Sequence, residues 1–191
     1  MAAGRSLWCI RPERVESLGG RRMGFWGYYV VGRSEKPLAG LAALADVQGM
    51  TLHEMTSEGW QVWQYPSKDG AGDVGDMAGL AAETGAPALF GYVMGGDCVV
   101  VEAAAPRGGA WTTCLARGAM AGHLGSGGDG PSVDDYFLEP RDAVARALAW
   151  AEEAGRTVAE RPLLEVLSAE DEPSAEMLFF RFLDRLGVVP L

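Results

Sequence analysis

The sequence predicts an α+β protein, built on a mixed, largely antiparallel sheet with helices on both faces. Three observations lead there. Between Phe25 and Met94, apolar periodicities and turn residues follow the order β-α-β-β-α-β. From Ala88 to Leu115, three consecutive strand patterns are joined by glycine-bearing turns, and neither face of them is cleanly polar. Beyond residue 132 the chain turns helical, and its last helix carries a wide apolar stripe.

Leu7-Trp8-Cys9-Ile10 suits a short strand, and Pro12 to Leu18 one or two helical turns closed by Gly19-Gly20. Phe25 to Val31 is aromatic and β-branched, which favours a strand. Pro37 suits a first helical turn, where its missing N–H costs nothing. Leu38, Leu41, Leu44 and Ala45 then recur, and Gly49 follows, so 37–48 is expected to be a helix. Residues 50–55 and 60–65 form a hairpin pattern around Thr56-Ser57-Glu58-Gly59. Strand alternation puts Trp60 and Val62 on one face and Trp63 and Tyr65 on the other. After a polar loop from Ser67 to Gly72, Asp73 is the expected cap of a helix striped with Val74, Met77, Leu80 and Ala81 and ending at Gly85.

Strands are expected over 88–94, 97–104 and 110–116, joined by Gly95-Gly96 and by Pro106-Arg107-Gly108-Gly109. Residues 117–131 are rich in glycine and read as a linker or loop. Pro140 opens a helix that Gly155 closes, 157–167 fits strand or helix equally, and Ser174 caps a last helix with Leu178, Phe179, Phe182, Leu183 and Leu186 inward. The β-α-β-β-α-β order is that of the ferredoxin-like split motif, here extended by two strands. Helices of that motif cover one sheet face, so the apolar second face needs the C-terminal helices as its cover. The organisation expected is a sheet core over 1–116, the glycine-rich 117–131, and a helical part over 132–191 packing on the same sheet as one globular unit.

A chain of 191 residues with 48% hydrophobic and 22% charged residues has enough apolar content to form a core. Its net charge of −10 opposes general nucleic-acid binding, which needs clustered cations, although the first 23 residues are net basic. Lysine occurs only at Lys36 and Lys68 while alanine and glycine abound, a bias expected of a GC-rich bacterial genome. Cys9, Cys98 and Cys114 are too few for a disulfide framework, and no Cys-x-x-Cys pair offers a zinc site. No apolar run reaches the roughly 18 residues of a membrane span. The N-terminus lacks the charged-then-apolar order of a signal peptide, and a twin-arginine signal at Arg21-Arg22, followed by Phe25 and Trp26, is opposed by an apolar run that ends by Arg33 with no small-residue cleavage site after it. A reducing bacterial cytoplasm is the expected location, with no membrane and no nucleic-acid partner.

Chemistry-bearing motifs are sparse. Gly125 to Gly130 has the formal pattern G-x-G-x-x-G, but Pro131 and Ser132 follow it instead of a helix, so it reads as a connector. His53 has no second histidine at metal-ligand spacing and reads as a solvent-facing or hydrogen-bonded strand residue. Asp129, Asp134 and Asp135 lack the calcium-loop spacing, and Glu170-Asp171-Glu172 suits compensation of the last helix dipole. Nothing in the sequence calls for a metal or a cofactor. Cys114 and His123 are the weak alternative for catalysis, as a thiol–imidazole pair oriented by Asp129 or Asp134. Trp60, Trp63 and Tyr65 are the candidate binding residues, because aromatics on both faces of a hairpin either complete two cores or leave one face as an interaction hot spot.

The sequence therefore points to an acidic protein that binds another protein, in an accessory, regulatory or immunity-type role without catalysis. The alternative is a small-molecule binder or thiol-dependent enzyme with its pocket near the 117–131 loop.

Overall fold

The computed structural model describes residues 24–67, 73–125, 130–170 and 173–191. Six strands form one open sheet: β1 (Gly27–Arg33), β2 (Thr51–Met55), β3 (Trp60–Pro66), β4 (Ala88–Met94), β5 (Cys98–Ala105) and β6 (Gly109–Leu115). Their order across the sheet is β2-β3-β1-β4-β5-β6. Five α-helices accompany them: α1 (Met77–Thr84), α2 (Arg117–His123), α3 (Pro140–Glu153), α4 (Glu160–Leu167) and α5 (Ala175–Arg185). The fold is α+β. The elements expected at Leu7–Ile10 and Pro12–Leu18 lie outside the described residues, as do Cys9, most of the 67–72 loop, the middle of the Gly125–Gly130 motif with Asp129, and Asp171-Glu172.

The expectation of a mixed sheet is corrected, because every neighbouring strand pair among the described residues is antiparallel. β1 and β2 point the same way, but β3 lies between them; β3 and β4 also share a direction, with β1 between. Each crossover skips one strand, so parallel strands never become neighbours.

Both faces of the sheet are buried, as the paired apolar patterns require. On the first face, Tyr29, Val31, Trp60, Val62, Leu89, Val93, Val99 and Val101 join one core with α3, α4 and α5. Trp150 of α3 lies 5.7 Å from Trp60 between ring centres, and its indole N–H reaches the carbonyls of Ala88 and Ala104 at 3.2 and 3.0 Å. Phe179 of α5 packs directly over Gly91, where a Cβ would come within 2.4 Å of the ring. On the second face, Tyr28, Val30, Phe90 and Ala104 pack against Met77, Leu80 and Ala81 of α1 and against Leu38, Leu41, Leu44 and Val47.

The expected helix over 37–48 is replaced by two single 3₁₀ turns, Leu38–Gly40 and Ala42–Leu44, with Leu41 extended between them. The buried residues explain this: Leu38, Leu41, Leu44 and Val47 recur every third position, the period of a 3₁₀ turn. Side chains from elsewhere take up amides the short turns leave free. Gln61 accepts from Leu38 N at 3.1 Å, and Glu83 of α1 accepts from Ala42 N and Ala43 N at 2.9 and 2.7 Å. These two bonds pull the Glu83 carboxyl below its ordinary pKa.

The ambiguous 157–167 segment is helical over α4, with Leu163, Val166 and Leu167 buried at helical spacing. The glycine-rich stretch is a helix over its first half. Met120 anchors α2 in the core, Glu170 accepts from Gly118 N at 2.9 Å, and Arg117 bonds Asp134 and the Leu138 carbonyl. Glu170 thus caps α2, although the sequence suggested a role at the last helix. That helix is capped by Ser174, which accepts from Met177 N at 3.2 Å.

Candidate functional site

The two edges of the sheet differ, and the difference locates the candidate surface. Along β6, Leu138 N donates to the Thr112 carbonyl at 3.1 Å and the Thr113 hydroxyl donates to the Leu138 carbonyl at 3.2 Å, so Leu138 shields the middle of that edge. Along β2, no strand or helix among the described residues pairs with the outer backbone. Four of the five β2 residues are exposed and the fifth, Glu54, is half-buried. An open edge offers a row of free N–H and C=O groups to an incoming chain.

A bulge decides what β2 presents. Leu52 stands opposite Trp63, and Met55 opposite Gln61, but the register shifts between Leu52 and Glu54 so that His53 is the extra residue. Residues three apart on a regular strand face opposite ways; the bulge turns Leu52 and Met55 to the same side. That side also carries half-buried Trp63 and Tyr65, while Leu52 and Met55 are 47% and 55% exposed, well beyond the usual burial of such residues. The His53 ring turns to the first face, 5.4 Å from Tyr29 and 5.2 Å from Phe180, while remaining exposed. Beneath it, the Tyr29 hydroxyl donates to Glu176 at 2.8 Å and accepts from Gln64 at 3.1 Å. Burial, then the Glu176 bond, push the Tyr29 phenol well above its ordinary pKa.

The sequence-predicted binding residues separate. Trp60 is wholly buried against Trp150, with Arg33 5.7 Å above its ring, and therefore belongs to the core. Trp63 and Tyr65 lie on the opposite face and are half-buried. Trp63 donates to Gln61 Oε1 at 2.8 Å, and Tyr65 lies 6.3 Å from Tyr28 between ring centres. Sequence alternation found the split between Trp60 and Trp63. It missed Leu52 and Met55, for which the only signal is an apolar pair in an outer strand free of lysine and proline.

The two residues of the weak catalytic alternative each contact other groups. Cys114 is fully buried on β6, its recorded polar neighbour is Arg117 Nη1 at 3.7 Å, and burial pushes its thiol up to about 12. At neutral pH it stays protonated and is a poor nucleophile. His123 is on α2, 3.9 Å from Asp97 and with its ring 6.1 Å from Trp26. Cys98 is equally buried, and its thiol is likewise raised to about 12. No cluster of three or more metal-ligating side chains occurs among the described residues. Asp134 pairs with Arg117, and Asp135 accepts from the Ser132 backbone and hydroxyl, which commits both acids to the fold.

Open clefts elsewhere among the described residues include two. One of about 730 Å³ is bordered by Arg33, Lys36, Glu58 and Glu83. Its Glu58 pairs with Arg156, and Glu83 caps the 3₁₀ turn, so two of its acids serve the fold. The other, about 480 Å³, lies between β6 and α3 beside Tyr136, Asp142 and Arg146. No helix among the described residues is long and apolar enough to cross a membrane. Comparison with known proteins returns no matching family model, no significantly similar curated protein and no significantly similar solved structure.

Proposed function

We propose that the protein acts by binding another protein, in an accessory, regulatory or immunity-type role, through the outer side of the β2–β3 hairpin. One observation carries the reading: the bulge at His53 gathers exposed Leu52 and Met55 beside half-buried Trp63 on an open sheet edge. Aromatic and large apolar side chains grouped on an exposed patch are the usual anchors of protein interfaces. The net charge of −10 favours a basic partner and fast electrostatic encounter. The β2-β3-β1-β4 part of the sheet supports a ferredoxin-like split motif, with β5 and β6 as the extension. The arginine-biased, alanine- and glycine-rich composition supports a bacterial origin, and two buried free thiols suit a reducing cytoplasm.

The test is affinity capture from host-cell lysate with the intact protein and with Leu52→Asp, Trp63→Ala and Tyr65→Ala variants, each checked for its melting temperature. A partner held by the parent and lost by Leu52→Asp at unchanged melting temperature supports the reading. A partner retained by all three variants rules the hairpin out as its binding site.

A further inference from the structure

We infer that the partner engages β2 by strand addition, contributing an extended segment with Lys or Arg among its side chains as a seventh strand of the sheet. This rests on the protein-binding reading above and specifies its mode. Thr56 N donates to the Trp60 carbonyl at 2.8 Å, which fixes the phase of the hairpin ladder. Antiparallel alternation then turns the N–H and C=O of Met55, opposite Gln61, away from β3 and towards the open edge. An added strand would bond there through its backbone, and its side chains on one side would meet Leu52, Met55 and Trp63.

The charge argues for the partner's chemistry. The hairpin from Met50 to Pro66 holds Glu54 and Glu58 and no Lys or Arg; Glu58 is paired with Arg156, so Glu54 and the exposed Asp46 that precedes the hairpin carry the local negative charge. A second copy of this chain would bring the same carboxylates and another −10 of net charge to the contact, so self-pairing through β2 is disfavoured. Among the described residues, Leu138 occupies the Thr112–Thr113 part of the β6 edge, while nothing pairs with the outer backbone of β2.

The probe is a set of linear peptides selected from a random display library on the full chain, then synthesised. The inference expects them to alternate apolar residues with Lys or Arg and to slow amide exchange at Leu52 and Met55. Met55→Pro, which removes an outward donor that an edge strand tolerates losing, should weaken them about tenfold or more, the size of one to two net hydrogen bonds. Backbone N-methylation of the peptide should do the same without altering the protein. Peptides weakened by Leu52→Asp but by neither backbone change overturn strand addition and leave the protein-binding reading standing. Acidic selected sequences overturn the charge assignment. Peptides insensitive to every change on β2 overturn both the inference and the site, and failure to select any peptide overturns the inference alone.

Discussion

Gln61 shows how one side chain sets the ground under the hairpin. It is 2% exposed, and each of its polar atoms has two partners. Oε1 accepts from Leu38 N and Trp63 Nε1, while Nε2 donates to the carbonyls of Ser34 and Lys36, both at 2.9 Å. The amide thus holds the 34–38 turn against the sheet and fixes the indole of the proposed interface. Gln61→Glu replaces two donors by an oxygen facing two carbonyl oxygens and asks a buried site to hold a charge. It should cost about 3 kcal/mol or more, read as a lower urea midpoint at unchanged slope; a change below about 1 kcal/mol would mean the network carries no weight. Little of this was legible in the sequence, because three of the four partners of Gln61 lie more than 20 positions away and only Trp63 is local. Alternation puts Trp60 beside Val62 but does not say which face is covered, so Trp60 stands among the candidate binding residues until its contact with Trp150 places it in the core. Leu52 and Met55 were not legible as a pair, since the same alternation assigns them to opposite faces and only the bulge at His53 reunites them.

At the scale of elements, spacing decided most outcomes. The strands were legible because their β-branched and aromatic runs are bounded by glycine turns. The 37–48 segment was misread because leucines every third residue satisfy a helical pattern loosely and a 3₁₀ pattern closely, and extended Leu41 breaks the two apart. The start of the 117–131 stretch was misread because its glycines hide Met120, whose burial and the remote cap from Glu170 hold α2. The seat of α5 depends on Gly91, whose missing side chain lets the Phe179 ring lie on the sheet. Gly91→Ala would drive a methyl into that ring, which buried neighbours keep from moving. The expected loss is about 1–3 kcal/mol or more, measured by chemical denaturation. Gly32→Ala is the control: its Cβ would meet the Leu38 methyls at 3.3 and 3.5 Å and the Ala88 Cβ at 3.9 Å, and should cost less.

The whole molecule couples a doubly covered sheet to an acidic surface, and both features have measurable consequences. Burial raises the thiols of Cys98 and Cys114 to about 12 and raises the phenols of Tyr28, Tyr29 and Tyr92. The folded protein therefore keeps protons that the unfolded chain releases once the pH passes the ordinary thiol and phenol values. Stability should fall as pH rises above about 9, with each such group contributing up to about 1.4 kcal/mol per pH unit over its own window. Denaturation midpoints across that range test this, and a midpoint constant from pH 8 to 11 would contradict the burial of these groups. Glu102 acts in the same direction at lower pH, because desolvation raises its carboxyl while the bond from Met77 N partly offsets the effect. The central claim concerns the open edge, and site-specific photo-cross-linking tests it most directly. One protein carries a photoreactive residue at Leu52, and a second carries it at Tyr136, which is 38% exposed beside the opposite, shielded edge. The account predicts that irradiation in host-cell lysate captures a discrete partner through position 52 and not through position 136. Capture of that partner through position 136 alone would contradict it.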